Sequence, residues 1–150
     1  MRRKEIAMNR EDCNKMLEFL EGWTNDPHDM KGAFIRLNDR MSGKEHVTFA
    51  FISRPGVSYS LRAAMDNLGK GGRPLFVMID IIDDDSENRW LSVCFYANMI
   101  EDPDEKGDFV PEGLLGEDGC CFDLYENNED MILYIEQRID EAQANMSATK

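Results

Sequence analysis

Asp80 is the residue whose type and position most suggest chemistry, because it interrupts the apolar run Leu75–Ile82. A carboxylate in such a run must be paired, solvated or protonated, since an isolated buried charge is very costly. It could act as a general acid or base, or it could anchor a cationic group of a ligand. The structural alternatives are an ion pair with Arg62, which lies on a neighbouring predicted strand, and simple exposure to solvent.

Three other groups of residues could bind ions, but their spacing favours ordinary surface structure. Asp83-Asp84-Asp85 and Glu87 could supply oxygen ligands to Ca²⁺ or Mg²⁺, yet the run lacks the alternation of an EF-hand loop and predicts a solvated hairpin turn. The glycine-rich stretch Gly69–Arg73 lacks the order of a P-loop and precedes a predicted strand, so it predicts a flexible connection. A solvated acidic loop is predicted around Asp102, Asp104, Glu105 and Asp108.

No catalytic motif and no metal or cofactor signature is found in the sequence. His28 and His46 occupy unrelated positions without an obvious third ligand, which does not indicate zinc or haem. The GxSxG and HExxH patterns are absent, and Ser58 and Ser60 are interpreted as strand-surface hydroxyls. We therefore expect no catalytic residue, no metal and no cofactor.

The four cysteines are expected to be thiols. Cys13, Cys94, Cys120 and Cys121 form no CxxC pattern and no paired metal-ligand spacing. A disulfide between the neighbours Cys120 and Cys121 would strain the backbone, so one side chain is expected to face inward and the other outward. This pattern predicts a reducing, cytoplasmic environment.

Composition excludes several classes of function. The chain has 150 residues and a formal net charge of −13, which would repel a phosphate backbone, so we expect no general nucleic-acid binding. No run of eighteen apolar residues occurs, which predicts no membrane span. With 42% hydrophobic and 31% charged residues the chain is in the globular range, and its length predicts one domain over residues 1–150.

Hydrophobic periodicity predicts three helices. Asn9 is expected to cap a first helix that ends at Gly22, and Asp26-Pro27 to open a second helix that stops at Ser42-Gly43. A final helix is expected to begin at Asn127 or Asn128 and to bury a stripe of apolar residues. Residues 1–8 and 146–150 are expected to be flexible.

Between the helices, alternation of apolar and polar residues predicts strands. They cover residues 46–52, 57–64, 75–82 and 90–97, with a possible short fifth strand at 121–124. Residues 101–119 are predicted to form a long acidic loop. The predicted fold is α+β: an antiparallel four- to five-stranded meander sheet, with an N-terminal helical hairpin and a C-terminal helix packed on one face.

The two faces of this sheet differ in composition. One set of alternating residues is almost uniformly apolar and is assigned to the core beneath the helices. The opposite set mixes apolar and polar side chains, and such patches on soluble proteins often mark contact sites. Its candidate interface or ligand-binding residues are Arg62, Asp80, Phe76, Met78, Trp90, Tyr96 and His46.

Two functional hypotheses follow from this mixed face. In the first, the protein is a non-catalytic cytoplasmic association module that homodimerises through the face, because three helices can cover only one side of the sheet. In the second, the protein binds a small molecule, or is an enzyme, with a pocket between the face and the 101–119 loop. A third, weaker hypothesis is an acidic protein that docks on a basic surface of a partner.

Overall fold

The structure is a computed structural model that describes residues 8–66 and 72–147, with the backbone alone at residue 147. This part of the chain contains three helices: α1 (Arg10–Gly22), α2 (Met30–Ser42) and α3 (Glu129–Ser147). The predicted flexible ends lie mostly outside the described residues. Met146, which belongs to the predicted tail, is buried within α3.

The first and last helices begin where the sequence predicts. The side chain of Asn9 accepts a hydrogen bond from the Asp12 N–H at 2.8 Å, and it therefore caps α1. At the start of α3 the side chain of Asn128 accepts from the Met131 N–H at 3.0 Å. Both caps satisfy backbone donors that the first turn of a helix leaves without partners.

Helix α2 begins later than predicted, at Met30 rather than at Pro27. Asp29 is its cap residue and has a φ of 56°, in the left-handed region. The carboxylate of Asp26 still contributes, because it accepts hydrogen bonds from the N–H groups of Met30 at 2.8 Å and Lys31 at 2.9 Å. The predicted capping carboxylate therefore acts on the helix from outside its first turn.

The described residues form one antiparallel sheet of six strands, rather than the four or five predicted. Its order is β1-β2-β3-β4-β6-β5, so the first four strands form the predicted meander and the last two do not continue it. The strands are β1 (Val47–Arg54), β2 (Ser58–Met65), β3 (Val77–Ile82), β4 (Trp90–Tyr96), β5 (Asp108–Leu114) and β6 (Glu117–Leu124).

The predicted 101–119 loop is therefore an ordered loop followed by a β-hairpin. After a short 3-10 turn at Ala97–Met99, the chain crosses to the edge of the sheet and forms β5, and β6 then returns between β5 and β4. Asp102 holds the intervening loop, because its carboxylate accepts from the Lys106 N–H at 3.0 Å and the Gly107 N–H at 2.8 Å. This carboxylate is a structural anchor rather than the solvated group that was expected.

The register of the meander places the predicted apolar set on the helix side of the sheet. Leu61 lies opposite Ile79, which lies opposite Val93, and β6 adds Phe122 to this row. All four side chains are fully buried. The helices pack on this side: Phe19 of α1 stacks on Tyr59 with ring centroids 3.9 Å apart, and Tyr134 of α3 meets Phe122 edge to face at 5.9 Å.

Ion pairs join α2 to α3 along their outer surfaces. Arg36 pairs with Glu129 at 2.6 Å and with Glu136 at 3.2 Å, while Arg40 and Lys44 both pair with Asp140. The hydrogen bonds that Arg36 donates to Glu129 and Glu136 raise the pKa of Arg36 above its ordinary value. These two helices are thereby fixed side by side on the core.

The aspartate run beside β3 has a structural role at its first residue. Asp83 is buried, with 7% of its surface exposed, and it pairs with Arg89 at 2.6 Å. Its other oxygen accepts from the Gly56 N–H at 2.9 Å, which joins the β1–β2 turn to the β3–β4 turn. The expectation of a solvated turn therefore fails for Asp83, although Asp84 and Asp85 are exposed.

Candidate functional site: the open face of the sheet

The face of the sheet that points away from the helices, termed the open face below, carries the predicted polar residues in register. Ser60, Asp80, Ser92 and Asp123 lie opposite one another in one row across β2, β3, β4 and β6. On one side of this polar row, the next row of the same face contains Arg62, Met78, Cys94 and Cys121. On its other side, Ile82 lies opposite Trp90.

Asp80 has no ion-pair partner within the described part of the chain. No N···O distance within 4.0 Å joins it to Arg62 or to another basic group of the described residues, and its Oδ1 atom is buried without a hydrogen-bond partner among them. Burial raises the pKa of Asp80, while a hydrogen bond from Ser60 and the charges of Arg62 and Arg54 act in the opposite direction. The predicted Arg62–Asp80 ion pair is not formed.

Among the residues that the structure describes, no carboxylate forms an ion pair with Arg62 either. Its Nε donates to the Ser60 hydroxyl at 3.2 Å, and its side chain is only partly exposed. The strand register explains this, because Arg62 lies opposite Met78 whereas Asp80 lies opposite Ser60. Two opposite charges are therefore held close together on one face, and neither is neutralised by direct contact with the other.

Asp123 ends the polar row and was not singled out from the sequence. Burial and the negative charge of Asp108 raise its pKa, whereas hydrogen bonds to Ser92 and Tyr125 lower it. Tyr125 in turn packs against Trp90, with ring centroids 4.9 Å apart. The sequence does not identify Asp123 as a member of this row. Alternation within its short apolar run does not show that β6 pairs with β4, and the position of Asp123 depends on that pairing.

Three of the predicted site residues are not part of an accessible patch. Phe76 and Tyr96 are 0% and 1% exposed, and the Arg73 guanidinium lies 4.3 Å from the centre of the Tyr96 ring. His46 lies before β1 and its Nδ1 is 3.6 Å from an Asp66 oxygen. The polar row that contains Asp80 reaches β1 at Ile52, which lies opposite Ser60. His46 is six residues before Ile52, about 20 Å in extended backbone, so it is not part of that row.

Two of the cysteines are not thiols. Cys94 and Cys121 lie opposite each other on β4 and β6 and form a disulfide, with their Cα atoms 4.1 Å apart. Their chain separation gives no signal for this pairing, because it depends on β6 returning beside β4. Cys13 and Cys120 are free, and burial raises the pKa of the Cys120 thiol.

A cavity of about 490 Å³ opens beyond the end of β6, where the chain turns into α3. Its walls include Asp123 and Tyr125, which adjoin the open face, and Lys106 from the predicted acidic loop. Residues 101–119 were predicted to cover the open face, whereas residues 108–119 extend the sheet sideways as β5 and the start of β6. The cavity lies instead at the corner where that segment, the sheet and α3 meet.

The open face carries polar groups rather than an assembled catalytic centre: the Arg62 guanidinium, the partly exposed Ser92 hydroxyl and two carboxyl groups with raised pKa values, whereas the Ser60 hydroxyl is fully buried. Within residues 8–66 and 72–147, no group of three or more His, Cys, Asp or Glu side chains is placed to hold a metal ion. In the same ranges, no helix is both long and apolar enough to cross a membrane. Comparisons with protein-family models, curated proteins and solved structures found no match to this chain.

Proposed function

We propose that this protein is a non-catalytic association module that forms a homodimer through its open face. The observation that carries the proposal is the separation of Arg62 from Asp80 on that face. In a two-fold symmetric interface the same patch serves both copies, so each residue of a pair contacts the other residue in the partner copy. Arg62 of each chain would then neutralise Asp80 of the other.

The surroundings of the two charges suit an interface. Met78, Ile82 and Trp90 are only half-buried on the isolated chain, and Ile52 is 37% exposed. Pairing two open faces would remove these apolar side chains from water, at about 25 cal/mol for each Å² buried. It would also place the charges where they strengthen each other, because water is excluded.

The size of the face is compatible with a stable dimer. From standard strand spacings, the face spans about 25 Å along the strands and about 24 Å across β1 to β6, or about 600 Å² in projection. Because side chains project from the sheet, the accessible area of the face is larger than this projected area. It is therefore close to the value for a standard interface, which is about 800 Å² per partner. Burial of a smaller area would give only a weak or transient contact.

The proposal is tested by the mass of the native particle, measured by native mass spectrometry and by gel filtration with light scattering at physiological salt. That ionic strength screens repulsion between two copies of net charge −13. Wild type is expected as a dimer at micromolar concentration. Arg62→Asp and Asp80→Arg should each dissociate it, whereas the double exchange R62D/D80R should restore it.

Arg10→Asp is the matched control for Arg62→Asp, because it makes the same change in net charge at an exposed position on α1. It should leave the dimer intact. If the charge reversals impair folding, Arg62→Gln and Asp80→Asn provide milder changes that should weaken association about tenfold or more. A monomeric wild type, or a dimer insensitive to all changes at Arg62 and Asp80, contradicts the proposal.

The cytoplasmic location and the absence of nucleic-acid partners belong to the same proposal. The acidic composition supports the exclusion of nucleic acid, because a charge of −13 repels phosphate groups. The location rested on four free thiols, and the Cys94–Cys121 pairing removes that support. The number of free thiols tests whether this disulfide is present.

A further inference from the structure

The walls of the cavity at the end of β6 include carboxyl groups, an aromatic ring and apolar side chains, together with one ammonium and one amide. Asp123, Glu126 and Asp130 contribute the carboxyl groups, Tyr125 the ring, and Met131 the apolar contact. Its volume of about 490 Å³ is within the range typical of small-molecule sites, which is about 300–1,000 Å³. The cavity is therefore large enough for a ligand rather than for a single ion.

The charges around this cavity are unbalanced. Asp123, Glu126 and Asp130 have no basic group within 4.0 Å on the described part of the chain, whereas Glu129, just beside them, is paired with Arg36. Lys106 is the one basic residue in the wall, and its ammonium is directed to the Tyr134 ring at 5.8 Å. Three carboxyl groups against one ammonium favour a cationic ligand.

The aromatic wall favours the same ligand. Tyr125 is 59% exposed, yet it is held in place by a tilted ring contact with Trp90 and by its hydrogen bond to Asp123. An ordered, exposed aromatic ring beside carboxylates is the arrangement that recognises ammonium and guanidinium groups, since the ring face carries partial negative charge. The exposed ring is a second feature of the wall besides the carboxyl groups.

A compact metal ion does not suit the site. The carboxyl groups are spread around the cavity, and the described residues contain no group of three or more acidic, histidine or cysteine ligands placed for a metal. Hard cations require several oxygen ligands at about 2.0–2.6 Å. A larger cation with an apolar body could instead contact Tyr125 and Met131 while its charge faces the carboxylates.

We propose that this cavity binds a small organic cation, an ammonium or guanidinium group on an apolar body. The proposal does not depend on dimer formation, because the cavity lies beyond the end of β6 and is complete within one chain. It extends the role of the protein from association to ligand binding. Its location beside Asp123 also joins it to the polar row of the open face.

The test uses phenethylammonium, arginine ethyl ester and choline as cationic probes, and 2-phenylethanol as the neutral counterpart of the first. Binding is followed by backbone amide NMR shifts and by calorimetry at millimolar ligand concentration. We expect shifts confined to residues 123–131 and 106, with at least one cation, and binding that weakens with added salt. Phenethylammonium should bind at least tenfold more tightly than 2-phenylethanol.

Variants distinguish recognition of charge from a structural effect. Tyr125→Leu and Glu126→Gln should each weaken cation binding about three- to fivefold. Lys106→Gln should strengthen it by a similar factor, because it removes the one positive charge in the wall. Asp39→Asn, at an exposed position on α2, is the matched control and should have no effect.

The outcomes separate this proposal from the homodimer. A wild-type protein that is monomeric but binds the cation would refute only the association proposal. Equal binding of phenethylammonium and 2-phenylethanol overturns the cation proposal, as does the absence of shifts at residues 123–131 with all three cations. Weaker binding in Lys106→Gln would also overturn it.

Discussion

Asp102→Asn tests whether one carboxylate holds the loop that precedes β5. The native side chain accepts hydrogen bonds from the Tyr134 hydroxyl and from the backbone N–H groups of Lys106 and Gly107. An asparagine of the same shape keeps one acceptor oxygen and places an NH₂ group against a remaining donor. The loop and the start of β5 should therefore lose part of their attachment to α3.

The magnitude follows from the three hydrogen bonds. Bonds to charged groups contribute about 1.5–3 kcal/mol each, and the asparagine oxygen retains part of that contribution. We expect a loss of about 2 kcal/mol in the free energy of unfolding. For a chain of this length such a loss lowers the Tm by about 4–8 °C.

The pH dependence has a defined sign. Burial opposes ionisation of Asp102, but the hydrogen bonds from Tyr134, Gly107 and Lys106 outweigh it and hold the pKa below its ordinary value. A carboxyl group with a lowered folded-state pKa stabilises the fold above its unfolded pKa of about 3.9, and this contribution is lost as pH falls through the folded pKa. The difference between wild type and Asp102→Asn should therefore be constant above about pH 5 and shrink below pH 4.

The assay is urea unfolding at one fixed protein concentration, followed by far-ultraviolet circular dichroism across this pH range. Asp104→Asn is the matched control, because it makes the same charge change on an exposed side chain of the same loop. It should alter the free energy of unfolding by less than about 0.5 kcal/mol. Equal effects of the two variants, or a difference that persists unchanged to pH 3, would refute the anchoring role of Asp102.

Two further predictions concern close packing and the disulfide. Gly107→Ala would place its Cβ 2.8 Å from the Cys120 sulfur and 2.9 Å from the Phe122 ring, so urea unfolding should show a loss of about 1–3 kcal/mol. Gly22→Ala, whose Cβ would meet no atom within 4 Å, should cause none, and equal losses would contradict the packing argument. Alkylation of the denatured protein should modify two cysteines, Cys13 and Cys120, before reduction and four afterwards, as counted by mass; four adducts without reduction would contradict the cross-strand pairing.

The meander and its open face could be predicted from the sequence because they depend on short-range rules. Alternation fixes the face of every residue in a strand, and the first four strands pair in chain order without a bulge. Arg62, Met78, Asp80 and Trp90 therefore share a face, as expected. Alternation does not predict which residues of that face are exposed. Phe76 and Tyr96 are buried, and their burial depends on tertiary contacts.

The hairpin of β5 and β6 could not be predicted, because its residues are of the types found in loops. Pro111 interrupts β5, and Glu112 and Leu115 have positive φ angles beside a register shift between Val110 and Leu114. Proline is compatible with an edge strand, where its missing N–H removes no ladder hydrogen bond. The order in which β6 precedes β5 in the sheet is a long-range property, and the Cys94–Cys121 pair depends on it.

The edges of the sheet favour association through its face. At the β1 edge, Met8 bridges to Phe49, and the Asp12 carboxylate accepts the Phe51 N–H at 3.1 Å. At the β5 edge, Pro111 and the bulge interrupt the row of backbone groups that another strand would need. Edge-to-edge pairing is thereby disfavoured on both sides, whereas the open face carries two charged groups that have no ion-pair partner among the described residues. Because a two-fold contact between identical faces is closed, we expect native mass spectra to show a dimer and no ladder of larger species.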